Sequence, residues 1–226
     1  RVLPAGVRQR LHAVQKEFQA RPDVLTFLRG GPWRGFFRKY AEANLLNKKM
    51  LRVSGKIQQL AASTRRGLPL RRALDDATTC LLRAQCNDAY WHGIFGGLYA
   101  PHLRTALWRE LIRAEKIADA AEQARPSYAE VSRLDFDSDG HEEVYVVSES
   151  FAALLNPADG ATLAALDFRP NDVALINSIQ RRPEAYHARL QEAARSAAQP
   201  IASIHDQLKV KEEGLERRLR YDQWPR

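Results

Sequence analysis

Gln85-Cys86-Asn87-Asp88-Ala89-Tyr90-Trp91-His92-Gly93-Ile94-Phe95-Gly96-Gly97-Leu98-Tyr99, followed by Ala100-Pro101-His102-Leu103-Arg104, joins two segments that read as helices. The run up to Tyr99 is dense in aromatics and holds one carboxylate, one imidazole and three glycines. Gly-rich junctions on a rigid scaffold are frequent places for ligand sites. Asp88 and Trp91 are three apart, so a preceding helix extended through them would set a carboxylate and an indole on one face. A carboxylate that accepts from hydroxyls, beside an aromatic plate over an apolar ring face, suits a sugar. The competing reading is packing: Trp and Tyr fill helix corners and satisfy their polar tips locally. A lone histidine such as His92 is equally at home as a packing residue.

Upstream of the junction the apolar positions recur at helical spacing. Pro4 suits a first helical turn, and Val7, Leu11, Val14 and Phe18 follow it. A second stripe holds Leu46, Met50, Val53, Ile57 and Leu60, and stops before Thr64-Arg65-Arg66-Gly67. A third runs Leu70, Leu74, Ala77, Leu81 into the junction. Pro101 opens a fourth, carried by Leu107, Leu111, Ala114, Ala118 and Ala121. Sustained spacing of three to four predicts amphipathic helices in a bundle, with all four stripes in the core. Lys48 and Lys49 read as a short charged face. Arg29-Gly30-Gly31-Pro32-Trp33 interrupts the bundle, and there Trp33 either plugs the core or faces a ligand.

The fourth helix frays through Asp119-Ala120-Ala121-Glu122-Gln123-Ala124-Arg125, and Pro126-Ser127 marks a boundary. Beyond it the period changes. Glu143-Val144-Tyr145-Val146-Val147 is rich in β-branched residues, while Phe151–Leu155 and Thr162–Leu166 flank the turn Asn156-Pro157-Ala158-Asp159-Gly160. The latter pair predicts a hairpin, with a helical reading of its alanines left open. Pro183 opens a short helix through Arg195, and 204–226 is either helix or further strand sequence. The fold class expected is α+β: a helical bundle (residues 1–126) followed by a partial antiparallel β-sandwich (127–226). Such an open sheet has unpaired edges and is expected to be poorly stable alone.

Asp135-Phe136-Asp137-Ser138-Asp139-Gly140-His141-Glu142-Glu143 carries a second chemistry. Alternate aspartates, a glycine and a carboxylate at the ninth position resemble the calcium loops between strands of integrin-type repeats. Calcium takes six to eight oxygens, and alternate Asp with a Gly-permitted turn can wrap it. Asp135, Asp137, Asp139 and Glu143 are the candidate ligands of a structural Ca2+. A helix–loop–helix site would need Glu at position twelve, where this chain has Val146. The plain alternative is an acidic surface turn.

Bulk properties narrow the function. Of 226 residues 45% are hydrophobic, enough for a core, and no run approaches the ~18 apolar residues of a membrane helix. Formal charge is +8, from 35 Lys+Arg against 27 Asp+Glu. The arginines are scattered among acids rather than massed, which reads as a solvated surface and argues against a nucleic-acid partner. Cys80 and Cys86 give no disulfide framework or zinc spacing. They favour a reducing compartment, so a cytoplasmic location is expected, with no membrane partner.

The run Gln85–Arg104 closely resembles the last signature motif of glycoside hydrolase family 57, the α-amylase and 4-α-glucanotransferase enzymes. Phe27-Leu28-Arg29-Gly30-Gly31-Pro32-Trp33-Arg34-Gly35-Phe36-Phe37 with Lys39-Tyr40-Ala41-Glu42-Ala43-Asn44, and Ile176-Asn177-Ser178-Ile179-Gln180-Arg181-Arg182-Pro183-Glu184-Ala185-Tyr186-His187, look like the same family. The resemblance implies that Asp88 and Trp91, with His92 and Trp33, lie near glucose units of an α-glucan or maltooligosaccharide substrate. It also implies that the catalytic glutamate and aspartate lie on a barrel upstream, since they have no counterpart motif here. Retaining chemistry needs two carboxyls about 5 Å apart. The chain, which begins at Arg1 rather than Met, then reads as a fragment of a retaining α-glucan hydrolase or transferase, requiring no cofactor and inactive alone. A carbohydrate-binding or structural module is the alternative, and oligomeric state stays open.

Overall fold

The computed structural model describes residues 3, 5–28, 33–63, 68–91, 96–122, 127–180 and 182. In chain order come α1 (Ala5–Glu17), α2 (Pro22–Leu25), α3 (Trp33–Lys39), α4 (Ala41–Ala62), α5 (Leu68–Ala84) and α6 (Pro101–Glu122). Five strands follow among the described residues: β1 (Ala129–Leu134), β2 (Glu143–Ser148), β3 (Phe151–Asn156), β4 (Thr162–Phe168) and β5 (Val173–Ala174). The architecture is α+β, helices first and then one open antiparallel sheet in sequence order. No helix among the described residues is long and apolar enough to cross a membrane. Pro4, Thr64–Gly67 and the segments expected over 183–195 and 204–226 lie outside the described residues.

The chain divides into two compact units, Tyr40–Ile179 and one drawn from residues 1–39 and 180–226. In the latter, Gln15 Nε2 donates to the Leu28 carbonyl at 3.1 Å. Pro22 takes a first-turn position in α2, where a missing N–H costs nothing. The α1 stripe departs from expectation: Val7 is 39% and Val14 36% exposed, so this helix lacks a fully covered apolar face.

In Tyr40–Ile179 the other stripes do form core. Leu46, Val53 and Ile57 of α4, Leu74, Ala77 and Leu81 of α5, and Leu107, Leu111, Ala114 and Ala118 of α6 are all buried. The alanines matter because small side chains let α5 and α6 lie close along each other. Pro101 opens α6 as expected.

The sheet is built by alternation. Glu143, Tyr145 and Val147 of β2 are buried while Val144, Val146 and Ser148 are less so, the period-two signature of a half-covered strand. Ala152 and Leu154 of β3 and Ala165 and Asp167 of β4 join the covered side. The β3–β4 hairpin is real: Phe151 pairs with Phe168 and Asn156 with Thr162. Asn156 Oδ1 accepts from Asp159 N at 3.1 Å, and Gly160 takes a positive φ of 64° to close the turn. At the edge, β1 leaves Val131 68% exposed.

A buried polar network joins helices to sheet, and it revises three readings. Lys49, expected on a charged surface face, is 2% exposed. Its Nζ donates to Asp167 Oδ2 at 2.7 Å, Glu115 Oε2 at 3.0 Å and the Tyr145 hydroxyl at 3.2 Å, using all three ammonium protons. Tyr145 donates in turn to Glu115 Oε1 at 2.7 Å, and Trp108 Nε1 to Asp167 Oδ1 at 2.5 Å. Burial disfavours the Lys49 ammonium, but Asp167 and Glu115 outweigh it and hold its pKa well above the ordinary range. Asp119, expected in a fraying end, is 2% exposed and accepts from Arg169 Nη2 at 2.5 Å while also pairing with Lys56. Arg169 itself is 1% exposed, so not every arginine is surface solvation. Removing one partner from such a set strands a buried charge, at a cost of about 3–5 kcal/mol.

Candidate functional site

The Gly-rich junction is held at both ends. Helix α5 stops at Ala84, so it does not extend through Asp88 as the helical-face reading required; Asn87–Tyr90 form a 3-10 turn and Trp91 is extended. The turn is anchored by the Tyr90 hydroxyl, which donates to the Ala84 carbonyl at 2.7 Å. Burial pushes the Tyr90 phenol well above its ordinary pKa, keeping it a neutral donor. Across the junction Leu98 N donates to the Trp91 carbonyl at 2.8 Å, and Arg104 Nη1 to the Leu98 carbonyl at 2.6 Å. Arg104 also donates to Asn177, to Oδ1 and to the carbonyl, both at 2.9 Å, bringing the chain past the sheet into the same assembly. Gly96 has φ 96°, where a side chain would be strained. The Tyr40 and Tyr99 rings meet edge to face at 6.0 Å.

This anchoring divides the junction by role. Ala89, Tyr90, Gly97 and Leu98 are buried and do the packing, while Asp88 and Trp91 are exposed. Trp91 keeps 41% of its surface open. Asp88 Oδ2 accepts from the Cys86 thiol at 3.1 Å, a weak donor. An exposed carboxylate and an exposed indole on a pinned turn can accept from hydroxyls and cover an apolar face. His92 and the side chain of Trp33 lie outside the described residues. A cavity of about 50 Å³ bounded by Glu42, Leu46, Arg104, Trp108 and Asn177 has room for a few waters rather than a hexose.

The acidic loop forms the turn from β1 to β2. Carboxylate oxygens of Asp135, Asp137 and Glu143 lie within 4.8 Å of one another. Asp139 stands outside that group: its Oδ1 accepts from His141 N at 2.8 Å, and its own N–H donates to Asp135 Oδ1 at 3.0 Å. The loop is fastened to α4 by Asn44 Nδ2, donating to the Asp137 carbonyl at 2.6 Å, and by Lys48 Nζ, donating to Ser138 Oγ at 2.8 Å. Burial pushes the Asp137 and Glu143 carboxyls up, and neighbouring carboxylates add to it.

Cys80 and Cys86 are both free thiols, the first buried and the second exposed. The Lys49 network went unread in the sequence, yet a signal for it existed. Lys49 lies three after Leu46 and four before Val53, and Glu115 four after Leu111 and three before Ala118, so both charges interrupt apolar stripes.

Comparison with known proteins agrees with this layout. Residues 31–118 match the family described as "Alpha-amylase/4-alpha-glucanotransferase, middle domain", and residues 135–226 match "Alpha-amylase/4-alpha-glucanotransferase, C-terminal". Alpha-amylase 1 of Dictyoglomus thermophilum is 40% identical over 196 residues, 87% of this chain and 26% of the relative. The 4-alpha-glucanotransferase of Thermococcus kodakarensis is 38% identical over 198 residues, 87% of this chain and 27% of the relative. The crystal structure of the Thermococcus litoralis 4-alpha-glucanotransferase superposes with a TM-score of 0.66 at 32% identity, covering 82% of this chain and 26% of that one. The chain thus spans about a quarter of the length of the relatives it matches. It belongs to the α-amylase/4-α-glucanotransferase family, glycoside hydrolase family 57, and carries that family's middle and C-terminal regions.

Proposed function

We propose that the chain is part of a retaining α-glucan hydrolase or 4-α-glucanotransferase, to which it contributes substrate contacts rather than the catalytic carboxyl pair. Asp88 accepts from sugar hydroxyls and Trp91 stacks on a pyranose face. The observation that carries this is the division of roles in the junction. Tyr90, Leu98 and Arg104 do its structural work, while Asp88 and Trp91 are left exposed on it. The names of the relatives support an α-glucan as the substrate class.

The test is Asp88→Asn in the enzyme that carries the catalytic barrel. A charge-assisted hydrogen bond contributes about 1.5–3 kcal/mol, so kcat/KM should fall by about one to two powers of ten. The melting temperature should stay where it is. If Asp88→Asn keeps full kcat/KM, the subsite assignment is wrong. The 226-residue chain by itself, incubated with maltooligosaccharides, should produce no new chain lengths; turnover that survives re-purification would place a catalytic pair here. Glucan affinity without turnover in the barrel-bearing protein would favour a carbohydrate-binding module instead.

A further inference from the structure

The β1–β2 turn gathers three carboxylates, none of them in an ion pair among the described residues. Oxygens of Asp135, Asp137 and Glu143 come within 4.8 Å of one another. Oxygen ligands of one calcium ion sit about 2.3–2.6 Å from it, so any two are at most about 5 Å apart. That spread fits a single ion. Glu143 is 1% exposed, and its two oxygens have different fates. Oε2 accepts from Phe136 N at 2.7 Å, whereas Oε1 is buried with no hydrogen-bond partner among the described residues. Buried carboxylate oxygens are normally satisfied, and the Glu143 carboxylate is one of the three that converge. Lys48 of α4 gives its Nζ to Ser138 Oγ, and none of the three carboxylates has an ion pair among the described residues.

We infer that Asp135, Asp137 and Glu143 form a binding site for one divalent, oxygen-preferring cation of calcium size. Glu143 supplies the buried ligand through Oε1 while Oε2 keeps its bond to Phe136 N. Asp135 is positioned because its oxygens also accept from Asp139 N at 3.0 Å and Gly140 N at 3.1 Å. Gly140, at φ 98°, allows that tight return. Solvent water supplies the remaining coordination, as exposure at Asp135 permits. Asp139 is a turn residue rather than a ligand. The ion fastens the turn that Asn44 and Lys48 hold against α4.

The test uses the 226-residue chain, stripped with EDTA and desalted, then titrated with CaCl2 by calorimetry, with melting temperature followed in parallel. Wild type should bind one Ca2+ and melt higher with it. Asp137→Asn should weaken binding by more than about tenfold and lose the melting shift. This variant keeps the backbone carbonyl that Asn44 grips, so it should fold. Asp139→Asn should bind within about threefold of wild type, as expected of a residue outside the ligand set. A blank wild-type trace overturns the site. Asp137→Asn binding as tightly as wild type places any ion elsewhere and also overturns it. Asp139→Asn losing as much as Asp137→Asn overturns the three-carboxylate assignment.

Discussion

Two groups of carboxylates lie in the same compact unit, one in the seam between helices and sheet and one in the β1–β2 turn. In the seam, Glu115 and Asp167 meet a lysine that arrives from α4, and each Lys49 proton has an acceptor. In the turn, Asp135, Asp137 and Glu143 meet one another, and one buried oxygen accepts from nothing among the described residues. The first group holds a buried, ion-paired lysine, whereas the second has Lys48 on Ser138 Oγ and no ion pair among the described residues. The pKa directions follow. Burial alone would raise Glu115, but Lys49 and the Tyr145 hydroxyl outweigh it and hold it below the ordinary range. In the turn burial comes first and Lys48 offsets it only in part at Asp137, so Asp137 and Glu143 stay raised. Burial of a carboxylate therefore says little about stability until its counter-charge is identified.

The largest effect should come from breaking the seam. Lys49→Met leaves two buried carboxylates facing each other, at a cost of about 3–5 kcal/mol. That corresponds to a melting temperature lower by roughly 10 °C for a chain of this size. Adding Glu115→Gln to Lys49→Met should recover part of the loss, because one stranded charge is then removed. A Lys49→Met variant melting within a degree of wild type would show that the seam contributes no net stability.

pH should move the two groups in opposite directions. The Glu115 contribution is present above its unfolded value near 4.5 and is lost as pH falls through its lower folded value. The penalty of Glu115→Gln, measured by denaturant unfolding, should therefore shrink as the pH is taken below 4.5. For Asp137 and Glu143 the folded values lie above 3.8 and 4.5, so their contribution is full below those values and lost as pH rises through the folded ones. In EDTA, Glu143→Gln should gain on wild type as the pH rises from 4.5 toward neutrality, and a shrinking advantage would contradict the unmatched-charge account.

A smaller effect is expected from Glu143→Gln at fixed neutral pH. Without Ca2+ it should melt about 1–3 °C above wild type, since like-charge repulsion is relieved while Oε2 keeps an amide counterpart for Phe136 N. With Ca2+ the order should reverse. The smallest effect on stability belongs to Asp88→Asn. Among the described residues its exposed carboxylate has only the weak Cys86 thiol bond to lose, so the melting temperature should change by less than about 1 °C.

What could be read from the sequence was whatever depends on local period and on turn chemistry. The stripes of α4, α5 and α6, the Pro101 start and the Asn156–Gly160 hairpin all follow from side-chain spacing and from residues that close turns on their own backbone. The family motifs around Asp88 were legible for the same reason, being contiguous in the chain. Only the folded chain decided which charges are inside. Lys49 and Asp167 are 118 positions apart, and nothing local distinguishes Lys49 from its neighbour Lys48 except the stripe it interrupts. The helix–sheet seam closes over the first and leaves the second at the turn. The same holds for the acidic loop. Alternation names four candidate ligands, and only the fold sets where each stands: Glu143 lies opposite Leu134 at the inward position, and Asp139 Oδ1 accepts from His141 N. A side chain's partners are set by which elements meet across the sheet, and that is a property of the tertiary fold.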